Sequence, residues 1–206
     1  MNVLAVGAHP DDVELGCGGV LAKHLELGDE VYVLIMTNGN KGNHTVNSEE
    51  CLASLNSLGI KKRNIFFGNF PDGFLRDDFN TVNAVESYIK KLNIGRVYTH
   101  SPYDRHQDHR NCSLAVSSAA RDISEIFLFQ GPSTKAPFEP HYFIEITEEQ
   151  LARKLKALSF YKTQIEKGIV NVEAIECLAR LNGTHHKAGY VEAFALNHAL
   201  KRGKNV

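Results

Sequence analysis

The chain has 206 residues, 43% of them hydrophobic and 23% charged, which is enough apolar content for one domain with a sizeable core. Its formal net charge of −1 at pH 7 excludes a general nucleic-acid binder or a polybasic membrane binder. No apolar run approaches the length of a transmembrane segment, and the N-terminus enters a strand-like run with neither a basic region nor a cleavage site, so no signal peptide is expected.

Taken in chain order, a strand is predicted at Asn2–Gly7 and a helix at Glu14–Leu27, closed by Gly28. A strand at Glu30–Met36 precedes a helix at Ser48–Leu58, where Ser48 caps, Glu49 and Glu50 suit the first turn and Gly59 closes. Strands at Asn64–Phe67, Arg96–Thr99 and Glu125–Phe129 then alternate with helices at Thr81–Leu92 and His109–Arg121. This alternation predicts an α/β fold, a Rossmann-like three-layer sandwich around a mostly parallel sheet. Pro132, Pro137 and Pro140 punctuate a loop before a strand at His141–Ile146. Thr147 and Gln150 form a capping-box pattern for a helix through Leu158, and another helix is predicted at Val172–Leu181. Leu181–Gly189 reads as a loop, and Tyr190–Leu196 fits either a strand or a helix. Nothing divides the chain, so residues 1–206 are expected to form one domain. Cys17, Cys51, Cys112 and Cys177 are scattered without a C-x-x-C pair, which predicts reduced, buried thiols in a cytoplasmic protein.

Two clusters carry the chemistry. Ala8-His9-Pro10-Asp11-Asp12 follows the first strand, and His106-Gln107-Asp108-His109 follows the strand at Arg96–Thr99. Imidazole nitrogen and carboxylate oxygen suit a borderline ion such as zinc, and ligands at strand ends fit the carboxyl edge of an open α/β sheet. Of two adjacent aspartates, one is able to bind a cation while its neighbour takes a proton from water that the ion has acidified. Residues 106 and 109 share a face if a helix begins there, so one histidine is placed to ligate while the other stands beside the substrate. Asp108 is expected to accept a hydrogen bond from the non-ligating histidine and so favour its imidazolium form.

Blander readings fall short of this pattern. Helix capping explains one of Asp11 and Asp12, but not both together with His9. Gly16, Gly18 and Gly19 match neither common phosphate-loop spacing and are read as close helix packing. A non-catalytic, metal-binding α/β module would want an aspartate after the third strand, where Phe67-Gly68-Asn69 stands, and it leaves three histidines unexplained. His100 supports either the site or only the fold. Asn38, Lys41, Asp104 and Arg105 are candidates for contact with a polar substrate, as are His185 and His186.

The two clusters, with Gly16-Cys17-Gly18-Gly19, Thr37-Asn38-Gly39, Phe70-Pro71-Asp72-Gly73 and Tyr190-Val191-Glu192-Ala193-Phe194, resemble the LmbE-like deacetylase family. That family includes the de-N-acetylases of N-acetylglucosaminyl-phosphatidylinositol. The resemblance implies zinc, or another divalent ion such as Fe2+, held by His9, Asp12 and His109. It implies Asp11 as general base, His106 facing the oxyanion or the leaving amine, and Asp108 orienting His106. It also implies an N-acetylated amino-sugar substrate, with a non-sugar N-acyl amide as the alternative, and makes a homo-oligomer plausible. Some relatives carry an acid where this chain has Val13, which leaves the part played by Glu14 open.

Overall fold

The computed structural model describes residues 1–37 and 48–200. The elements run β1 (Asn2–Gly7), α1 (Asp12–Glu26), β2 (Glu30–Thr37), α2 (Ser48–Leu58), β3 (Ile65–Phe70), α3 (Phe79–Lys91), β4 (Arg96–His100), α4 (Gln107–Ala119) and β5 (Glu125–Phe129). They continue with β6 (Tyr142–Ile146), α5 (Glu148–Leu158), α6 (Lys162–Glu166), α7 (Val172–His186) and β7 (Tyr190–Ala199). The strands join one seven-stranded sheet in the order β3-β2-β1-β4-β5-β7-β6. The first five pair in parallel, whereas β7 runs antiparallel to both β5 and β6. Strand order reverses between β1 and β4, the place where an open α/β sheet presents a crevice at its carboxyl edge.

Each face of the sheet is covered because the strands alternate. Val3 and Ala5 face one core with residues of α1, α2 and α5, while Leu4 and Val6 face a second core with α3 and α4. This is the three-layer sandwich that the alternating elements predict. The Thr147–Gln150 capping box is present as read. Gly16 belongs to packing: a Cβ there would overlap the Phe129 ring.

Two readings of the last third are corrected and one is resolved. The stretch read as a loop at Leu181–Gly189 is helical as far as His186, and Lys187 ends the helix with a left-handed backbone (φ 56°). Gly183 lets the returning chain approach; a Cβ there would lie 2.9 Å from the Ala188 carbonyl oxygen. The ambiguous Tyr190–Leu196 is a strand, because it is held between β5 and β6. Short α6 has no strong signal in the sequence. Of the four free cysteines, Cys177 is exposed on α7 rather than buried. Asn38 and Lys41 lie outside the described residues.

Candidate active site

The loops that leave β1, β3, β4 and β5 converge at the carboxyl edge of the sheet. Between β1 and α1 the chain turns at Asp11, whose φ of 88° is uncommon for any residue with a Cβ. Asp11 occupies the N-cap position of α1, yet its carboxylate makes no capping hydrogen bond. The turn aims Asp12 back at the loop, where Oδ2 accepts the His9 backbone N–H at 2.6 Å. His106 occupies the N-cap position of α4, and its Nδ1 accepts the Asp108 backbone N–H at 3.2 Å. The helix then places His109 one turn on, beside His9.

Three candidate ligand residues meet. His9 Nδ1 lies 3.2 Å from His109 Nε2 and 3.5 Å from Asp12 Oδ2, and His109 Nε2 lies 3.3 Å from Asp12 Oδ1. Metal–ligand bonds of about 2.0–2.2 Å at tetrahedral angles separate two ligand atoms by about 3.3–3.6 Å, close to these pairwise separations, which reach Asp12 through its two different oxygens. Two imidazoles and a carboxylate also form a donor set for zinc or a similar divalent ion. His100 and His106 extend the cluster: Asp12, His100 and His109 form a second close triplet, and His9, His106 and His109 a third.

The opposite edges of both candidate imidazole ligands are held by carboxylates. His9 Nε2 lies 3.1 Å from Asp72 Oδ1 and 3.2 Å from Asp108 Oδ2. His109 Nδ1 lies 3.3 Å from Asp104 Oδ1 and 3.3 Å from Ser133 Oγ. Such partners fix the orientation of a ligating imidazole and raise its basicity. The carboxylates are themselves anchored. Asp108 accepts Gly73 N–H at 2.6 Å and Leu75 N–H at 3.1 Å, and Asp104 accepts His106 N–H at 2.8 Å and Ser133 Oγ at 2.6 Å.

Electrostatics follow the geometry. Burial opposes protonation of His9, but hydrogen bonds with Asp108, Asp12 and Asp72 outweigh it and its pKa is raised. Burial works to raise Asp12, yet His109 and His100 hold it well below the usual carboxylate range. Asp11 goes the other way: burial, then the charges of Asp12 and Glu14, lift it well above that range. Burial pushes His100 down to about 4; its Nε2 faces both the Ala8 N–H and Asp12 Oδ2 at 3.1 Å. His106 is lowered, first by burial and then by the neighbouring His9 and His109.

Several expectations change here. The Asp108 carboxylate orients His9 and the loop after β3; His106 receives only the Asp108 backbone N–H. Nδ1 faces the Asp108 N–H as an acceptor, an arrangement that suits a neutral His106 ring with its proton on Nε2 rather than the expected imidazolium. Asp104, expected as a substrate contact, is buried and turned to His109, Ser133 and Thr134. Arg105 is exposed on the same loop. Glu14 points away from the cluster into the core, where Oε1 accepts Ser54 Oγ at 2.6 Å and Tyr161 OH at 2.8 Å. His185 and His186 sit in the last turn of α7, His186 against the Phe143 ring. Asp72, quoted only within the Phe70–Gly73 motif, and Ser133 were given no role by the sequence reading. The signal for Asp72 was the Pro71-Asp72-Gly73 turn directly after a strand.

A family profile described as PIG-L, GlcNAc-PI de-N-acetylase, matches residues 4–120. The chain belongs to that family. It is 37% identical over 170 residues to the uncharacterized deacetylase YaiS of Escherichia coli K12, covering 79% of this chain and 91% of that protein. It is 28% identical over 194 residues to the diacetylchitobiose deacetylase of Thermococcus kodakarensis, covering 82% of this chain and 72% of that one. Among solved structures, the conserved protein TT1542 of Thermus thermophilus superposes with a TM-score of 0.85 at 26% identity, covering 98% of this chain and 96% of that one. These relatives make this PIG-L protein a deacetylase-family hydrolase. No described helix is long and apolar enough to cross a membrane.

Proposed function

We propose that this protein is a metal-dependent N-deacetylase. It hydrolyses the acetamide of an N-acetylglucosamine-type sugar derivative to acetate and the free amine. The observation that carries the reading is the convergence of His9, Asp12 and His109 beside an Asp11 carboxylate that caps nothing. The substrate class draws support from the relative whose name specifies diacetylchitobiose.

His9, Asp12 and His109 would hold a divalent ion, which would supply Lewis acidity toward the amide carbonyl and lower the pKa of water to about 7. Asp11 takes the proton of the attacking water. Its buried setting raises its basicity toward the range a general base needs. His106 presents Nε2–H to the oxygen that gains charge as the carbonyl is attacked. When the C–N bond breaks, the proton held by Asp11 goes to the departing nitrogen. Asp108 and Asp72 orient His9, and Asp104 orients His109. One sheet carrying all seven strands of the described residues supports reading residues 1–206 as one domain, and the buried Cys17, Cys51 and Cys112 thiols suit a reducing cytoplasm.

The test is free-amine release from a panel of N-acetylglucosamine derivatives, repeated after chelation and after zinc or Fe2+ is restored. Release that vanishes with the chelator and returns with metal supports the reading. Bound metal without release from any sugar moves the reaction to non-sugar N-acyl amides. A protein that binds no divalent ion overturns the proposal.

A further inference from the structure

Each of the two candidate imidazole ligands meets a carboxylate from a loop, and each of those loops also carries an exposed aromatic ring. Asp72, which faces His9, is followed two residues on by Phe74, and Asp104, which faces His109, is directly preceded by Tyr103. Phe74 is 68% and Tyr103 52% exposed, and neither ring belongs to the two cores. Isolated apolar side chains are common at a protein surface. Two aromatic rings, each one or two residues from a carboxylate that orients a candidate ligand, form a more specific arrangement.

Both rings stand on fixed backbone. Residues Pro71 to Phe74 form a tight turn, closed by the Phe74 N–H on the Pro71 carbonyl at 3.2 Å, with Gly73 in the left-handed conformation (φ 79°). Three side chains at the start of α4 grip this turn. Asp108 accepts the Gly73 and Leu75 N–H groups, Gln107 donates to the Gly73 carbonyl at 3.3 Å, and Asn111 donates to the Leu75 carbonyl at 2.7 Å. Leu75 is itself buried, so the chain is anchored on either side of Phe74. Pro102 restricts the backbone just before Tyr103. The Tyr103 N–H donates to Ser101 Oγ at 3.1 Å, and its carbonyl accepts the Lys135 N–H at 2.8 Å. One loop attaches to α4 through Asp108 and the other through Asp104 and the His106 N–H, so both ring-bearing loops meet at the turn that carries His106.

An aromatic ring on a rigid backbone offers contact area at little ordering cost. In the chair form of a β-N-acetylglucosaminide the ring substituents are equatorial, so axial C–H bonds cover both faces of the pyranose. Such a face suits the electron-rich face of an aromatic ring. We infer that Phe74 and Tyr103 are specificity-determining residues that hold the pyranose ring of the substrate by its C–H faces while its acetamide lies at His9, Asp12 and His109. This rests on the deacetylase reading and extends it from the reacting amide to the ring that carries it.

The test compares methyl β-N-acetylglucosaminide with N-acetylglucosaminitol, an open chain that keeps the acetamide and hydroxyl chemistry of the sugar but has no ring face. The ratio of kcat/KM, ring over open chain, is expected to fall about 2- to 12-fold in Phe74→Ala and likewise in Tyr103→Ala, the size of one aromatic contact. Phe74→Tyr and Tyr103→Phe keep the face and should keep the ratio. A ratio unmoved in either alanine variant overturns the inference, even where both rates fall together, since that marks a structural defect alone. The chain has no tryptophan, so Phe74→Trp places a single indole at this exposed position. If no N-acetylated sugar is turned over, the sugar deacetylase reading falls, and titrating this variant decides the ring contact independently. A saturable fluorescence change with the glycoside that the open chain does not produce supports the inference, and equal or absent changes overturn it.

Discussion

The carboxylate of Asp108 sits 3.2 Å from Nε2 of His9, on the edge of the imidazole opposite the one that meets Asp12 and His109. One buried carboxylate thus joins the second cluster to the first and fastens both to the loop after β3 through the Gly73 and Leu75 N–H groups. Asp108→Asn keeps the size but weakens the acceptor facing His9. It is expected to lower metal affinity about 10–100-fold, the usual effect of losing such a partner. Competition for zinc with a chromophoric chelator measures this, and an unchanged affinity would show that Asp108 does not support the ligand.

Asp11 and His109 are expected to separate chemistry from metal binding. Asparagine tolerates the left-handed backbone that position 11 requires. Asp11→Asn should therefore keep its metal while turnover falls about 10²–10⁴-fold, as for a positioned proton-transfer group. His109→Ala should lose the metal as well. Metal content and amine release measured on the same samples distinguish the two, and near-normal turnover in Asp11→Asn refutes its assignment as base.

Lys154 and Glu192 form a buried ion pair whose side chains are 5% and 4% exposed. Lys154→Ala leaves the Glu192 charge buried and the Leu15 carbonyl without its donor. The expected loss is about 3–5 kcal/mol, which denaturant unfolding reads directly. A loss below about 1 kcal/mol, the range typical of a solvent-screened pair, would mean the pair is not buried in solution.

Gly16 faces the Phe129 ring with no room for a methyl group. Gly16→Ala is expected to destabilise the fold by about 1–3 kcal/mol through overpacking. Phe129 also touches the His100 ring, 4.8 Å between centroids, so the strain should reach the site. Thermal melting of the variant checks the first effect. Gly16→Ala/Phe129→Leu, which makes space, should recover part of the loss.

His24 gives a pH dependence remote from the cluster. It is buried, with Tyr98 OH 3.0 Å from Nε2 and Asp29 Oδ2 2.7 Å from Nδ1. Burial lowers its pKa despite the bond to Asp29. The unfolded chain therefore takes up the proton first as pH falls. The His24 contribution is fully present above about pH 6.5 and is lost as pH drops toward the lower folded pKa, with a slope of at most about 1.4 kcal/mol per pH unit. In His24→Gln, stability measured from pH 7.5 to 5 should fall less steeply than in the wild type. Parallel curves would show that His24 is not held neutral.

Much of the architecture is written locally. The alternation of Val3-Leu4-Ala5-Val6 between two cores, Gly28 and Gly59 after their helices, and the Thr147–Gln150 box depend on neighbours a few residues away. His9, Asp11, Asp12, His106 and His109 stood out as candidates for the same reason, since each cluster is compact and directly follows a strand. The partners of those residues did not. Asp72, Asp104 and Ser133 meet the imidazoles only because the sheet order brings β3, β4 and β5 loops to one edge. The sequence therefore determined most of the elements and brought the candidate site residues into view. Tertiary structure decided which carboxylate serves which histidine, because a hydrogen bond is fixed by distance and direction, and between remote segments these exist only after the sheet is assembled.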